Sequence, residues 1–328
     1  MRKYLIVGVL LLFLISCKEK KRPNTQIIHK KPALTFLAVG DIMLDRGVER
    51  MIAKNGTFYP FKKTAYFVKK YDLAFCNLES VISNVGKPIR KPITFQADTA
   101  MLSSLIEAGF NIFNLANNHA LDYGRESLAD CIRRLKNKGL YVTGAGNTLH
   151  DAYLPTIIEK NGIKLALLAY CTIPTGVPLK SKYPQIAVFN RDTALYYLKK
   201  LRDSIDYIIV SMHWGVEYTH EPTVNQRQIA HFLIDNGAKI IIGHHPHVIQ
   251  KVEYYKDGLI LYSLGNFIFD QRGKERNEGI IFTCKFTKER FENIKFIPYR
   301  INKMRPELLL HSEEVEFLRR YRQILLPD

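Results

Sequence analysis

Three histidines fall within four positions of one short segment, and these residue types are well suited to metal chemistry. Residues 240–242 are three isoleucines, which predict a buried strand ending at Gly243, and His244, His245 and His247 follow. Reactive groups in an open α/β sheet gather beyond the carboxyl ends of strands, and neutral imidazoles are common ligands of transition metals. A His-rich surface turn is the simpler alternative. If the segment binds metal, its other ligands must follow other strands.

Polar side chains follow five further apolar runs, each predicted to be a strand. In chain order, the six strand ends carry Asp41, Glu79, Asn118 with His119, His213, His245 with His247, and Asn266. Two carboxylates, an asparagine and several imidazoles form a mixed nitrogen and oxygen ligand set for one or two divalent ions such as Zn, Mn or Fe. Two such ions can activate a water for hydrolysis, and His119 is placed to protonate a leaving group. Taken alone, Asp41 is equally typical of a turn.

The elements that must position these residues alternate between strand and helix, which favours a layered α/β domain. Apolar runs predict strands at 34–39, 73–78, 110–116, 163–170, 207–212, 240–242 and 259–264. Periodic segments predict helices at 101–108, 126–137, 194–202 and 225–236. Residues 271–328 contain further β-type runs and a charged helix near 312–325, and they are interpreted as an extension that completes the domain.

The formal charge of +17 does not indicate nucleic-acid binding, because of where the charge lies. Residues 1–31 carry eight Lys or Arg against one Glu, which gives +7 and leaves +10 dispersed over the rest of the chain. No basic run or aromatic platform accompanies it. The balance favours general basicity or an anionic surface or substrate.

Residues 1–17 predict a secretory signal with a lipid-attachment site. A basic start precedes about a dozen apolar residues, too few to span a membrane. The segment ends in Ser16-Cys17, a small residue before cysteine that is similar to the bacterial lipobox, so Cys17 is predicted to be lipidated. An uncleaved anchor is the alternative. Residues 18–33 then form a basic tether, and both interpretations place the remaining chain outside the cytoplasm.

Four more cysteines follow Cys17 and are expected to be mostly buried free thiols. They are Cys76, Cys131, Cys171 and Cys284, and no Cys-x-x-Cys pattern links them. Cys76 and Cys171 lie within apolar runs, although an even number in an oxidising compartment also permits disulfides.

A loop at 86–94 carries Lys87, Arg90 and Lys91 and suits an anionic ligand, with a plain solvated loop as the equal alternative. Glu217 and Asn266, near two of the strand ends, are the further candidates for substrate contact. No Gly-x-Ser-x-Gly segment is present, which argues against a serine hydrolase.

Six ordered motifs resemble the capsule-synthesis CapA family, over residues 34–270. They are Gly40-Asp41-Ile42-Met43, Asn77-Leu78-Glu79, Asn117-Asn118-His119 with Asp122-Tyr123-Gly124, His213-Trp214-Gly215, Gly243-His244-His245-Pro246-His247 and Gly265-Asn266-Phe267. That family is associated with poly-gamma-glutamate capsule synthesis and lies in the calcineurin-like metallophosphoesterase superfamily. The resemblance implies a four-layer α/β/β/α sandwich with metals at the strand ends.

The resemblance also implies a role for each residue of the set. Asp41 and His247 would bind a first metal, and Glu79 would occupy the bridging position. The second metal would take Asn118, His213 and His245, and His119 would be the general acid. The segment 118–124 is also similar to a metal-binding motif of 5′-nucleotidases.

Two departures from the wider superfamily bear on this assignment. Met43 stands where a histidine ligand is usual, and Glu79 where an aspartate is usual. A thioether is a poor ligand for these ions, so the first site is expected to bind more weakly than the second unless His244 or Asp122 replaces the imidazole.

The sequence therefore predicts a lipid-anchored, metal-dependent, hydrolase-like protein of the bacterial cell envelope that acts in synthesis or release of poly-gamma-glutamate. Its expected partners are an anionic polymer or phosphate-containing substrate, the membrane, and capsule-synthesis membrane proteins, but not nucleic acid. Three alternatives stay open: a phosphoesterase acting on a nucleotide or lipid phosphate, an amidase cutting a glutamyl bond, and an assembly factor with a structural or vestigial metal site.

Overall fold

The computed structural model describes residues 32–325. The predicted signal segment, Cys17 and nearly all of the 18–33 tether lie outside these residues. Between residues 32 and 325, no helix combines the length and apolar character needed to cross a bilayer.

The described residues form eighteen strands, nine α-helices and two 3-10 turns. The strands are β1 Leu34–Ile42, β2 Leu73–Leu78, β3 Val81–Ile82, β4 Gln96–Ala97, β5 Ile112–Asn114, β6 Tyr141–Thr143, β7 Ala145–Gly146, β8 Thr156–Lys160, β9 Ile163–Cys171, β10 Gln185–Ile186, β11 Tyr207–His213, β12 Ile240–His244, β13 Val252–Tyr255, β14 Gly258–Leu261, β15 Asn266–Ile268, β16 Glu278–Phe286, β17 Phe291–Asn302 and β18 Arg305–Leu308. The α-helices are α1 Arg46–Asn55, α2 Ala65–Val68, α3 Met101–Ala108, α4 Gly124–Asn137, α5 Leu149–Tyr153, α6 Arg191–Leu201, α7 Val224–Asp235, α8 Ser312–Arg320 and α9 Arg322–Leu325. Single 3-10 turns occupy Tyr59–Phe61 and Glu275–Asn277.

Two large sheets organise these elements. The first runs in the order β18, β17, β16, β1, β2, β5 and β6, and β15 also pairs with β1. The second runs β13, β14, β12, β11, β9 and β8. At the centre of each sheet, β1, β2 and β5 are parallel, as are β9, β11, β12 and β14. The carboxyl ends of parallel strands lie at the same edge of a sheet, so the loops after these strands can meet.

The two sheets pack face to face with helices on their outer sides. Along β1, Phe36 faces the second sheet and meets side chains such as Ile242, whereas Leu37 belongs to the opposite core beneath the helices. Helices α3 and α4 cover the first sheet, and α6 and α7 cover the second. Apolar side chains thus occupy both faces of the strand, as expected for a sheet that is buried on both sides. The predicted α/β/β/α sandwich is confirmed.

Helix ends follow local chemistry. Helix α3 ends where Gly109 adopts a φ of 103°, a conformation that glycine reaches without steric cost. Helix α7 begins with a capping box, in which Thr223 accepts from the Gln226 backbone and Gln226 returns a bond to the Thr223 backbone.

Two predicted boundaries are wrong in ways that matter for the site. The strand predicted to end at Gly243 continues to His244, because Gly243 serves close packing: a Cβ there would lie 1.9 Å from the Tyr262 carbonyl oxygen. Likewise, His213 is the last residue of β11 and does not follow it. Both imidazoles therefore project from regular strands.

Residues beyond 270 are integral to the first sheet. Strand β16 pairs antiparallel with β1 from Leu34 opposite Phe286 to Ala38 opposite Phe282, and it carries β17 and β18 outward. The helix predicted at 312–325 divides at Tyr321 into α8 and α9. Phe317 and Tyr321 from this region join the core between the sheets.

Candidate metal centre

Two groups of possible metal ligands converge where the strands end. Atoms of Asp41, Glu79 and His247 lie within 4.8 Å of one another, and so do atoms of Glu217, His245 and His247. Asp41 is in β1, Glu79 directly follows β2, and the histidines follow β12. The sequence prediction that these strand ends meet is therefore realised in the fold, and Glu217 enters as a possible ligand where substrate contact was predicted.

The surroundings of the Glu79 carboxylate favour a bound cation. It is wholly buried, and neither of its carboxylate oxygens accepts a hydrogen bond from any residue in the described part of the chain. Its Oε1 lies 3.8 Å from the Nε2 atoms of both His119 and His247. Burial and the negative charge of Asp41 raise the pKa of Glu79 well above its usual value. A buried carboxylate without partners is costly, so this donor set fits a bound divalent ion.

Asp41 is also wholly buried, but its oxygens have partners. Asn77 Nδ2 donates to Oδ1 at 2.8 Å, and the His245 backbone N–H donates to Oδ2 at 3.3 Å. Burial raises the pKa of Asp41, but the imidazoles of His244 and His247 outweigh it and hold the pKa well below its usual range. Asp41 is therefore an anion in a fixed orientation, as a ligand must be.

His247 has one ring nitrogen committed and one directed toward Glu79. Its Nδ1 lies 2.8 Å from Asn266 Oδ1 and 3.3 Å from Asp41 Oδ2, and its Nε2 is the atom near Glu79. Burial lowers the pKa of His247, but the charges of Glu79 and Asp41 raise it to about 9. Such a hydrogen-bonded second nitrogen is the usual way in which a protein orients a metal-ligating histidine.

Asn266, predicted to contact substrate, makes several hydrogen bonds within the protein. Asn266 is wholly buried, and its amide is used by His247, Gln271 and the backbone of Arg276. Its amide thus orients His247, a candidate metal ligand.

Asn118 and His213 lie together, as predicted, and contact each other directly. Asn118 Oδ1 is 2.8 Å from His213 Nε2, and Asn77 Nδ2 is 3.3 Å from His213 Nδ1. Burial lowers the pKa of His213 well below its usual value, and burial with the nearby His247 lowers the pKa of His245 to about 4. Both rings are therefore neutral at neutral pH, which is the state that binds metal.

His245 is held in an unusual backbone conformation beside these residues. Its φ is 94°, its Nδ1 has no hydrogen-bond partner among residues 32–325, and its ring centre lies 4.9 Å from that of His213. Strained backbone at a buried cluster is typical of a functional site.

His119 is fixed by a carboxylate that the prediction did not assign. Its Nδ1 lies 2.6 Å from Asp122 Oδ2, and the Phe95 ring covers it at 4.2 Å between ring centres. Lys91 donates to the other Asp122 oxygen at 2.8 Å and to the Asn118 carbonyl at 2.8 Å. Burial lowers the pKa of His119, against the opposing effect of Asp122.

The three basic residues of the predicted anion-binding loop differ in their surroundings. Lys91 is not a free substrate contact, because its ammonium is bound to Asp122 and Asn118, whereas Lys87 and Arg90 are exposed. Asp122, a candidate to replace the histidine missing at Met43, belongs to neither group of convergent ligands, and its two oxygens pair with Lys91 and His119. His244, the other candidate to replace that histidine, lies beside Asp41, since its buried Nδ1 is 3.3 Å from Asp41 Oδ1. It also belongs to neither group of convergent ligands.

Two similar proteins are named for capsule or PGA biosynthesis. The chain is 36% identical to the capsule biosynthesis protein CapA of Bacillus anthracis over 247 residues, which are 73% of this chain and 60% of that protein. It is 29% identical to the PGA biosynthesis protein CapA of Bacillus subtilis over 305 residues, which are 92% of this chain and 80% of that protein. The match thus spans less than two thirds of the Bacillus anthracis relative.

Among solved structures, a 5′-nucleotidase from Candida albicans aligns with a TM-score of 0.46 and 11% identity, over 83% of this chain and 54% of that one. Residues 35–271 match the family described as "Bacterial capsule synthesis protein PGA_cap". The resemblance predicted from the six motifs is confirmed, and the chain belongs to this bacterial capsule synthesis family.

Proposed function

We propose that the protein is a metal-dependent hydrolase that acts on poly-gamma-glutamate during synthesis or release of a bacterial capsule. The observation that carries the hydrolase assignment is the buried Glu79 carboxylate, which lacks hydrogen-bond partners in residues 32–325 and lies between His119 and His247. The polymer follows from the family, since the relative in Bacillus subtilis is named for PGA biosynthesis. The net basic charge suits a polyanionic substrate.

Asp41, Glu79 and His247 would hold one divalent ion, whether Zn, Mn or Fe. His245, Glu217, Asn118 and His213 are available to a second. A bound divalent ion supplies Lewis-acid polarisation of a carbonyl and a more acidic water. Because His247 Nδ1 is taken by Asn266, its single remaining nitrogen serves one ion only.

His119 and Asp122 would carry out proton transfer in this reaction. The hydrogen bond to Asp122 fixes the His119 proton on Nδ1 and leaves Nε2 directed toward Glu79. In its neutral form, His119 accepts a proton at Nε2 and can then deliver it to a leaving amine or alkoxide. Phe95 covers the ring and limits its exposure to water.

The site of action that we propose is the outer side of a bacterial membrane, with the chain held by a lipid on Cys17. The support is sequence alone: an apolar core, Ser16-Cys17 and the basic tether at 18–33. A basic tether next to a lipid anchor strengthens attachment to anionic lipids.

The test compares two substrates on metal-reconstituted protein: a γ-linked glutamate oligomer and p-nitrophenyl phosphate. We expect release of shorter γ-glutamyl chains that requires metal and is lost in Glu79→Gln. Hydrolysis of the phosphate ester alone would replace the polymer by a phosphoester substrate. Turnover of neither compound, with polymer binding retained, would identify an assembly factor and end the hydrolase proposal. Lys69→Gln, an exposed change outside the site, is the matched control.

A further inference from the structure

Arg276 lies at the rim of the candidate metal centre and belongs to no motif of the sequence. It follows the family match, which ends at residue 271, and sits in the 3-10 turn Glu275–Asn277. Its guanidinium carbon is 4.8 Å from the centre of the Tyr218 ring, and that ring is 6.2 Å from the ring of His247. The aromatic ring of Tyr218 thus lies near both His247, a candidate metal ligand, and the guanidinium of Arg276.

The charge of Arg276 has no carboxylate partner among residues 32–325, unlike the charges of nearby basic residues. Arg46 pairs with Asp270, and Lys91 pairs with Asp122. Arg320 pairs with the buried Glu278 at 2.6 Å. The Arg276 side chain is also hydrogen-bonded to that of Tyr218, and without an acidic partner its remaining N–H groups are available for a ligand.

Arg276 also lines a cavity of about 260 Å³, together with Gly273, Lys274, Glu275 and Arg320. The one acidic side chain in this lining is engaged elsewhere, since the Glu275 carboxylate lies 3.3 Å from His220 Nε2. Lys274 has only a long, exposed contact of 3.8 Å with Glu316, which contributes little. Arg320 is paired with Glu278 and Glu316, so within residues 32–325 Arg276 is the basic side chain of this lining that lacks a carboxylate partner.

The position of Arg276 relative to the metal centre is fixed by Asn266. The Asn266 Nδ2 group donates to the Arg276 carbonyl oxygen and to Gln271 Oε1, each at 3.0 Å. The Oδ1 atom of the same amide lies 2.8 Å from His247 Nδ1. One buried side chain thus holds both the candidate ligand and the backbone that carries the arginine, which is the rigid support that a binding subsite needs.

We propose that this cavity, the Arg276 subsite, binds a carboxylate of an acidic polymer next to the bond at the metal centre. The inference rests on the proposed function and names the residue that recognises its substrate. A guanidinium pairs with a carboxylate through two parallel hydrogen bonds, and a γ-linked glutamate chain carries one free carboxylate on every residue. The subsite therefore selects chains that are charged beside the reacting bond.

The test measures binding of a labelled γ-linked glutamate oligomer to the full, metal-loaded chain and to Arg276→Gln. We expect roughly tenfold weaker binding in Arg276→Gln, the size of one charge-assisted hydrogen bond, with unchanged metal content. Arg276→Lys should recover only part of the loss, because an ammonium cannot pair in the bidentate way. Arg272→Gln is the matched control, since Arg272 is exposed and lies on the same segment. Equal binding by Arg276→Gln and Arg272→Gln would overturn the inference while leaving the proposed function intact.

Three further probes separate the inference from the function. An oligomer with amidated carboxylates should bind the wild type and Arg276→Gln equally weakly. If the wild type binds only α-linked polyglutamate, and Arg276→Gln weakens that binding, the Arg276 subsite is supported and the proposed γ-linked substrate is refuted. If Arg276 matters only for inorganic phosphate, or for no anion, the carboxylate subsite is refuted.

Discussion

His119 and Asp122 form a buried pair, with Nδ1 of the imidazole 2.6 Å from Oδ2 of the carboxylate. The other oxygen of Asp122 binds Lys91, so the carboxylate is held from both sides. The pair turns His119 Nε2 toward Glu79 without placing His119 in either group of convergent ligands. This geometry supports the proposed role of His119 in proton transfer.

The first prediction separates proton transfer by His119 from metal binding. His119→Ala should keep the bound metal while turnover of the γ-linked oligomer falls by about 10²–10⁴-fold, the usual contribution of a general acid or base. Asn118→Ala and His213→Ala should instead lower the metal content, because their ligand atoms lie together at 2.8 Å. Metal analysis by mass spectrometry beside the kinetic assay decides the matter. Loss of metal in His119→Ala would move this residue into the coordination sphere.

Asp122→Asn tests the support behind His119. An amide has one acceptor oxygen, so it loses either the bond from Lys91 at Oδ1 or the bond from the Phe95 backbone N–H at Oδ2, and it no longer stabilises a charged imidazole. Turnover should fall, by less than in His119→Ala, and metal content should not change. In the double variant Asp122→Asn/His119→Ala the two losses should not add. Additive losses would show that Asp122 does not act through His119.

The sequence predicts the scaffold of this site better than its contacts. Strand β2 and helix α3 have the predicted bounds, because the apolar run 73–78 ends at a carboxylate and the helix ends at Gly109. The roles of Asn77 and Asp122 were missed. Asn77 contacts Asp41 and His213, which are 36 and 136 residues away in the chain, and no local pattern reports such distances. The spacing of three between His119 and Asp122 was a usable signal for the second.

Asn266 and Lys91 were both predicted to contact substrate, and both make hydrogen bonds within the protein. Asn266 follows a predicted strand and Lys91 lies in a predicted loop, and the sequence does not tell which polar groups face a ligand and which face one another. In the fold, Asn266 is hydrogen-bonded to His247, and Lys91 donates a hydrogen bond to Asp122. The paired strands β1 and β16 show the same limit at larger scale, because antiparallel pairing between residues 34 and 286 leaves no periodic signal.

The buried thiols give a prediction about pH. Cys76, Cys131, Cys171 and Cys284 are all free and buried, as expected from the sequence. Burial raises the pKa of Cys131 and of Cys171 to about 12, and it raises the pKa of Cys76 and Cys284 as well. A raised thiol pKa leaves little reactive thiolate at pH 8, so folded Cys17→Ser protein should react very slowly with a thiol reagent. All four should react at once in guanidinium, and a fast-reacting thiol in the folded protein would contradict the burial.

Lipid attachment is tested at Cys17, which lies outside the residues that the structure describes. Ser16-Cys17 follows an apolar core, so Cys17→Ala should leave the chain unprocessed or release it from membranes. The readouts are incorporation of labelled fatty acid and membrane fractionation. Cys284→Ala, which changes a buried thiol, is the matched control. Equal labelling of Cys17→Ala and the wild type would exclude this anchor.

The last prediction concerns Met43 and the order in which metal ions bind. From sequence, the missing imidazole at position 43 predicts that the first site is the weaker one. The structure gives a physical reason for the opposite order, because Asp41 and Glu79 place two buried carboxylates around one position. The second group has the exposed Glu217 as its one acidic member, beside His245 and His247.

A cation among Asp41, Glu79 and His247 offsets the larger cost of buried charge, so this position should fill first despite Met43. After dialysis, metal analysis should give about one ion per chain, rising toward about two when metal is added. Glu79→Gln should lose the tightly held ion, whereas Glu217→Gln should keep it and weaken only the second. If Glu217→Gln removes the tight ion, the order predicted from the sequence is restored. If two ions are held with equal affinity, neither the thioether at Met43 nor the buried carboxylates govern occupancy.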